Sequence, residues 1–313
     1  MKTLYPAIGV LPAINTPFTE DDKIDFDGLQ KHLDNAVNAG VAGLLIPVVA
    51  SEVLRLTAQE RHDISVCAQE VVNGRVPIFG AATAPTLEEC LAFVRELTAV
   101  GAGVMVKIPY ECPEQYRSYV KAIAAQDPAC LMIQDYDLLG PGVPVELLAE
   151  LYDEIDCYNC LKVETQLPGG KFTKILTATE GRLHVSGGWC ITQYIEALDR
   201  GVHGMVPTGM NEIFCKLDKL YRSGHRDKAN RLFTSVQPVI AFANQQDILS
   251  LHFYKRLLWK QGFYKTPNIR TPGLDFDKYY VRIADEQIER ALSLIEDVKA
   301  ESMTEAANPI RVT

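Results

Sequence analysis

A lysine and a glutamate two residues apart, Lys162 and Glu164, stand in a short and mostly apolar segment, 158–164. Such a segment is typical of a buried strand, on which residues i and i+2 point to the same side. Burying an ammonium group is costly unless the charge is paired or its pKa falls. An amine that is partly neutral near pH 7 can attack a carbonyl carbon and form a Schiff base. The pair therefore indicates either a nucleophilic amine beside a carboxylate, or a lysine that reaches solvent or only pairs with Glu164.

The elements that would position this pair alternate between strand and helix along the chain. Apolar strands are predicted at 8–15, 43–49, 76–81, 103–108, 130–134, 158–164, 183–186 and 204–207. Helices are predicted between them at 25–39, 57–72, 86–100, 172–179, 192–199 and 211–221, and from Pro113 and Pro144 onward. Capping boxes at Thr57 and Thr86 begin two of these helices, and Gly40 and Gly101 follow the ends of two. Eight such units in a row predict an α/β fold, a closed (β/α)8 TIM barrel. A doubly wound open sheet is the alternative, but the Gly-rich phosphate turn typical of that fold is missing after the first strand.

Two regions are expected along the chain. Residues 1–224 contain the eight β–α units and form the predicted catalytic barrel. Residues 225–313 are predicted to form a C-terminal helical extension, with helices at 226–244, 249–261 and 276–301.

Composition excludes several classes of partner. The 313 residues are 47% hydrophobic and carry 31 basic against 40 acidic side chains, a net charge of −9, which argues against nucleic-acid and anionic-membrane partners. No secretory leader or membrane-spanning segment is evident, so a cytoplasmic location is expected. The eight cysteines are interpreted as free thiols, and the dispersed histidines predict no metal site. No cofactor fingerprint is present, so a small-molecule substrate bound as an imine on Lys162 would supply its own electron sink.

Small, polar and ionisable residues cluster where the predicted strands end. In a TIM barrel the active site lies at the C-terminal ends of the strands. The residues predicted to lie there are Val49, Ala50, Ser51 and Glu52 after the second strand, Tyr110 after the fourth, Gln134, Asp135 and Tyr136 at the fifth, Lys162 and Glu164 at the sixth, Gly187 and Gly188 at the seventh, and Thr208 at the eighth.

These motifs resemble the dihydrodipicolinate synthase and N-acetylneuraminate lyase family of Schiff-base aldolases over essentially the whole chain. The Gly-Glu turn of that family is matched by Ser51-Glu52, its Pro-Tyr by Pro109-Tyr110 and its Schiff-base lysine by Lys162. Its glycine after strand seven is matched by Gly187 or Gly188. The resemblance implies a lyase that is a homotetramer or a homodimer.

The chain also departs from the dihydrodipicolinate synthases. Two threonines before the Gly-Glu turn are replaced by Val49 and Ala50, the proton-relay tyrosine by Gln134, and a carboxylate-binding arginine by Leu139. The chain is more similar to 2-keto-3-deoxy sugar-acid dehydratases of the L-2-keto-3-deoxyarabonate type. That subgroup has Ser-Glu after strand two, Gln-Asp at strand five, and Lys-Ile/Val-Glu on strand six.

The resemblance implies roles for the rim residues. Lys162 would form the imine. Glu164 would transfer the C3 proton, or would only be the counter-ion of Lys162. Tyr136 and Tyr110 are the next candidates for the proton transfer, with a packing role as the alternative. The turn Val49-Ala50-Ser51 would bind the substrate carboxylate through its backbone N–H groups and the Ser51 hydroxyl. Glu52 would either hold that turn or take part in the site. Gln134, Asp135 and Thr208 would bind sugar hydroxyls or cap loops.

Four functions remain open at this point. They are dehydration of a 2-keto-3-deoxy sugar acid, a pyruvate-dependent aldolase or dihydrodipicolinate synthase reaction, a barrel that binds sugar acids without catalysis, and a metal-dependent aldolase. The last is disfavoured because no histidines converge in the sequence.

Overall fold

The computed structural model describes residues 2–307, apart from the side chains of Cys190 and residues 305–307. The predicted free thiol of Cys190 and the last six residues of the predicted extension therefore lie outside the described part. The other seven cysteines are free thiols, as predicted.

Eight parallel strands form one sheet in the order β1-β8-β7-β6-β5-β4-β3-β2. The strands are β1 Gly9–Val10, β2 Leu44–Leu45, β3 Ile78–Ala81, β4 Gly103–Lys107, β5 Leu131–Asp137, β6 Tyr158–Thr165, β7 His184–Gly187 and β8 Gly204–Met205. A parallel bridge between Ala13 and Leu45 joins the first and second strand segments and so closes the ring. The predicted TIM barrel is confirmed, and the open-sheet alternative is wrong.

Helices alternate with the strands. In the barrel they are α1 Phe26–Asn38, α2 Ala58–Val72, α3 Leu87–Ala99, α4 Pro113–Ala124, α5 Val145–Glu154, α6 Pro168–Ala178, α7 Tyr194–Asp199 and α8 Asn211–Arg222. The capping boxes predicted at Thr57 and Thr86 are present, since each hydroxyl accepts from the N–H of the glutamate three residues on. Helix α6 begins four residues earlier than predicted, because Pro168 is favoured in a first helical turn and the following glycines are tolerated there.

The C-terminal region forms three helices, α9 Arg226–Ala243, α10 Asp247–Lys260 and α11 Lys278–Ala307. Helix α9 packs on α8, and α11 packs on both of them. Helix α10 lies over the C-terminal ends of the strands, where the ring of Tyr254 stands against Gly209 after β8. No helix in the described range 2–307 is long and apolar enough to cross a membrane.

Apolar side chains fill the barrel interior below the strand ends. Phe79, Met105, Met132 and Cys160 belong to this cluster and are essentially inaccessible to solvent. Lys162 follows Cys160 by two residues on β6, so it points to the same side of the strand, one layer higher. The packed interior therefore forms the floor beneath Lys162.

Candidate active site

A cavity of about 120 Å³ opens at the C-terminal ends of the strands. Seven residues predicted for the site line it: Val49, Ala50, Gln134, Tyr136, Lys162, Glu164 and Thr208. The position at the catalytic end of a TIM barrel is the one that barrel enzymes use.

Lys162 and Glu164 form an ion pair inside this cavity. The Lys162 Nζ and a Glu164 carboxylate oxygen are 3.0 Å apart, and the two residues are only 7% and 6% exposed. The register of the sheet sets Gln134 beside Lys162 and Tyr136 beside Glu164 on the neighbouring strand β5. The strand alternation that predicted a shared direction for Lys162 and Glu164 thus also brings in two residues from β5.

Glu164 is held in place by three donors. Besides Lys162, the Gln134 side-chain amide donates to its Oε2 over 2.5 Å, and the Trp189 backbone N–H donates to its Oε1 over 2.7 Å. Burial raises the pKa of Glu164, but the Lys162 charge and these hydrogen bonds outweigh it, so the pKa lies below its ordinary value. Glu164 is therefore an ionised carboxylate at neutral pH, as a proton acceptor must be.

Gly188 lets the strands approach the ion pair closely. A Cβ atom built on Gly188 would lie 2.3 Å from Glu164 Oε1 and 2.7 Å from Lys162 Cε. A Cβ on Gly187 would instead meet Met205 and Phe172 on the helix side of β7. Of the two glycines predicted for the site, the structure brings only Gly188 to the ion pair.

The turn after β2 is a short 3₁₀ helix at Val49–Ser51. The N–H groups of Val49 and Ala50 open this turn, so they have no acceptor within it and remain available to an anion in the cavity. The Ser51 hydroxyl is different: it donates to the Ile14 carbonyl and accepts from the Val48 N–H over 3.0 Å. This hydroxyl therefore joins the turn to the segment that follows β1. The predicted contact of the Ser51 side chain with a substrate carboxylate is not supported by this arrangement.

The side chain of Glu52 makes structural contacts with the C-terminal region. Its carboxylate is buried against Lys255 of α10 and accepts from the backbone N–H groups of Arg270 at 2.8 Å and Thr271 at 2.6 Å. Burial lowers the pKa of Lys255 to about 8, while the Glu52 charge opposes that shift. Glu52 thus holds the β2 turn to the C-terminal region, which favours the turn-holding alternative over a role in the cavity.

Asp135 and Tyr110 do not reach the cavity. Asp135 lies between two inward-facing residues of β5, so its side chain points outward, where it pairs with Lys171 and accepts from the Val143 N–H over 2.9 Å. Its surroundings match the loop-capping alternative. Tyr110 is 37% exposed and packs edge-on against Tyr116, which leaves it the packing role.

Several cavity residues were not among the site residues predicted from the sequence. They are Asn15 at the end of the first strand segment, Trp189 after β7, and Asn244, Gln246, Asp247, Ser250 and Tyr254 in and before α10. Asn15 ends a predicted strand, so its position was a usable signal. Nothing in the pattern of α10 indicates that it folds back over the barrel. Among the side chains that the structure describes, no group of three or more His, Cys, Asp or Glu is placed to hold a metal ion.

The chain is a closed (β/α)8 barrel with a buried lysine–carboxylate pair in the cavity at the C-terminal ends of its strands, where barrel enzymes have their active sites. The family model described as "Dihydrodipicolinate synthetase family" matches residues 6–291, and the chain belongs to this family.

Three known proteins illustrate the range of the family. The chain is 26% identical over 242 residues to a 4-hydroxy-tetrahydrodipicolinate synthase from Methanosarcina barkeri, covering 74% of this chain and 81% of the relative. It is 23% identical over 249 residues to an L-2-keto-3-deoxyarabonate dehydratase from Azospirillum brasilense, covering 76% and 80%. The crystal structure of dihydrodipicolinate synthase from Rhodopseudomonas palustris superposes with a TM-score of 0.84 at 22% identity, covering 93% and 100%.

Proposed function

We propose that the chain is a Schiff-base-forming lyase that dehydrates a 2-keto-3-deoxy sugar acid through an imine on Lys162. The observation that carries the proposal is the buried Lys162–Glu164 pair facing the cavity, with Gln134 beside it. A relative named as a keto-deoxy sugar-acid dehydratase supports the reaction class.

The reaction begins within the ion pair. Glu164 takes a proton from the Lys162 ammonium, and the free amine attacks the C2 carbonyl; loss of the carbonyl oxygen as water leaves a protonated imine. This cation withdraws electrons from C3, and Glu164 removes a C3 proton to give an enamine. The enamine expels the C4 hydroxyl, which leaves as water with the proton held by Glu164.

The remaining steps release the product. The unsaturated imine loses a proton from C5 and regains one at C3, which leaves an enol at C4–C5. Hydrolysis frees Lys162, and the enol becomes an aldehyde, so the product is a semialdehyde 2-oxo acid. Over the whole cycle the substrate loses one water, and no external oxidant or reductant is required.

Substrate orientation follows from the groups around Lys162. The Val49 and Ala50 N–H groups would bind the C1 carboxylate, as oriented backbone donors do for anions. Thr208 follows β8, two strands from β6 in the ring, and would contact a hydroxyl of the substrate.

Dihydrodipicolinate synthesis is disfavoured by two positions. Gln134 cannot pass a proton as a tyrosine hydroxyl does, and its amide is committed to Glu164. Leu139, where the synthases carry a carboxylate-binding arginine, is 91% exposed and offers no charge.

The test is covalent capture of the imine. The protein is incubated with pyruvate or with a 2-keto-3-deoxy acid, reduced with borohydride, and its mass and modified peptide are determined. We expect one adduct on Lys162, its loss in Lys162→Ala, and its retention in Lys174→Ala, which removes an exposed lysine of α6. No adduct on the native protein, or an adduct that survives Lys162→Ala, would refute the Schiff-base mechanism and favour a barrel that only binds sugar acids.

Product analysis then separates the two lyase reactions. A semialdehyde 2-oxo acid released from the 2-keto-3-deoxy acid supports dehydration. Free pyruvate together with an aldehyde would mean retro-aldol cleavage, and the dehydratase assignment would fall.

A further inference from the structure

Helix α10 brings a carboxylate to the mouth of the cavity that the proposed reaction does not use. Asp247 opens this helix and lines the cavity together with Lys162 and Glu164, yet it remains open to solvent. The charges of Glu164, Lys162 and Lys107 all act on it. Asp247 therefore lies over the reacting pair, on the side through which a substrate enters.

A lysine stands near this mouth, next to a residue of the cavity wall. Lys107 ends β4, and its Nζ lies 4.0 Å from the centre of the Tyr136 ring, a cation–π contact with a residue of the cavity wall. Because Tyr136 neighbours Glu164 across the sheet, this contact directs the Lys107 charge toward the cavity rim. A negative side chain, Asp247, therefore lines the mouth, and a positive one, Lys107, stands near it.

We propose that Asp247 and Lys107 are specificity-determining residues that bind the distal hydroxyl groups of the substrate. The inference rests on the proposed function, because it assumes that C2 of the substrate is bound to Lys162. With C2 held at the floor and the C1 carboxylate at the β2 turn, the rest of the carbon chain points toward the mouth.

The paired charges at the mouth define the class of tail that fits. A hydroxyl group can donate to the Asp247 carboxylate and accept from the Lys107 ammonium, so a neutral polyhydroxyl tail satisfies both. A carboxylate or phosphate tail would meet like charge at Asp247, and a tail without hydroxyls would leave both groups without a ligand. The site thus favours 2-oxo acids whose distal end is hydroxylated and uncharged.

The test compares three 2-oxo acids by borohydride capture on Lys162. Pyruvate has no tail, a 2-keto-3-deoxy pentonate has a hydroxylated tail, and 2-oxoglutarate has an anionic one. For Asp247→Ala we expect the half-saturating concentration of the pentonate to rise about tenfold or more, the range for a lost hydrogen bond to a charged group. Pyruvate should change less than about twofold. Asp247→Asn, which removes only the charge, should improve capture of 2-oxoglutarate relative to the pentonate.

The control is Asp227→Ala, which removes an exposed carboxylate from the first turn of α9 and thereby tests a general effect of losing charge at a helix start. It should leave all three acids unchanged. If Asp247→Ala shifts pyruvate and the pentonate equally, or neither, the specificity role is wrong while the Schiff-base function stands. If the native protein captures none of the three acids, both proposals fail together.

Discussion

Replacing Gly188 by alanine tests the geometry of the ion pair without removing any functional group. The added Cβ would lie 2.3 Å from Glu164 Oε1, whereas ordinary contacts begin near 3.4 Å, so the carboxylate must retreat by about 1 Å. Gly188 has a φ of −120°, outside the left-handed region that favours glycine, so the clash with the Glu164 carboxylate is the main perturbation. Misplacing a reacting group by about 1 Å costs roughly 100-fold in rate, or about 2.7 kcal/mol of transition-state stabilisation.

The assay is the rate of borohydride-trapped imine formation with pyruvate, followed by intact mass, with thermal unfolding recorded for each variant. Gly187→Ala is the matched control, because its Cβ meets Met205 and Phe172 on the outer face of the same strand. We expect Gly188→Ala to trap about 100-fold more slowly with little loss of melting temperature, and Gly187→Ala to lose some melting temperature while trapping normally.

Two outcomes would contradict the reasoning. If Gly188→Ala traps at the native rate, the carboxylate is not confined as the structure indicates. If both variants slow equally, a general distortion of β7 is the cause, and the close approach at Gly188 explains nothing.

Three further predictions concern buried titratable groups. Replacing Gln134 by leucine removes a hydrogen bond to the Glu164 carboxylate, so the pKa of Glu164 should rise and the acidic limb of kcat/KM should move up by about one pH unit in a pH–rate profile. Replacing Glu52 by glutamine leaves Lys255 buried without its counter-ion and should lower the free energy of unfolding by about 3–5 kcal/mol in urea titrations. Replacing Glu52 and Lys255 together by apolar residues should recover most of this loss. If the double variant loses as much stability as the single one, the broken ion pair is not the cause. Burial lowers the pKa of His32 from 6.5 to about 3, so the unfolded chain takes up a proton at a higher pH than the folded chain does. As the pH falls from 6.5 to about 3, this residue should therefore lower the free energy of unfolding by up to about 1.4 kcal/mol per pH unit. Denaturant titrations at several pH values should show a weaker pH dependence of stability for His32→Leu.

The barrel could be predicted from the sequence because the strands and helices are marked by local sequence patterns. The capping boxes at Thr57 and Thr86 and the glycines that follow several helices mark boundaries that the structure reproduces within a few residues. Strand periodicity was also sufficient for Lys162 and Glu164, since two residues on one strand need no tertiary information to share a side. The contact of Gln134 with Glu164 needed the register between β5 and β6, which the sequence does not encode locally.

The errors at the rim have a common physical origin. Residues near strand ends were all considered for the cavity, with loop capping as the alternative for Asp135. The side chains of Ser51 and Asp135 instead turn away and form hydrogen bonds with backbone groups. The contribution of α10 was missed for the opposite reason. Its residues are distant in sequence from every strand, and only the packing of the extension onto the barrel brings Asp247 over Lys162.

The pairing of Lys162 with Glu164 also explains how a site this buried can carry the proposed chemistry. Before reaction the positive charge of the Lys162 ammonium and the negative charge of the Glu164 carboxylate cancel. Proton transfer between them gives a neutral amine beside a neutral acid, the protonated imine again faces a carboxylate, and the enamine faces the protonated acid. In each of these states Lys162, or its imine, and Glu164 carry zero net charge together. No step therefore leaves an uncompensated ion on this pair, which would cost several kcal/mol in the low-dielectric interior.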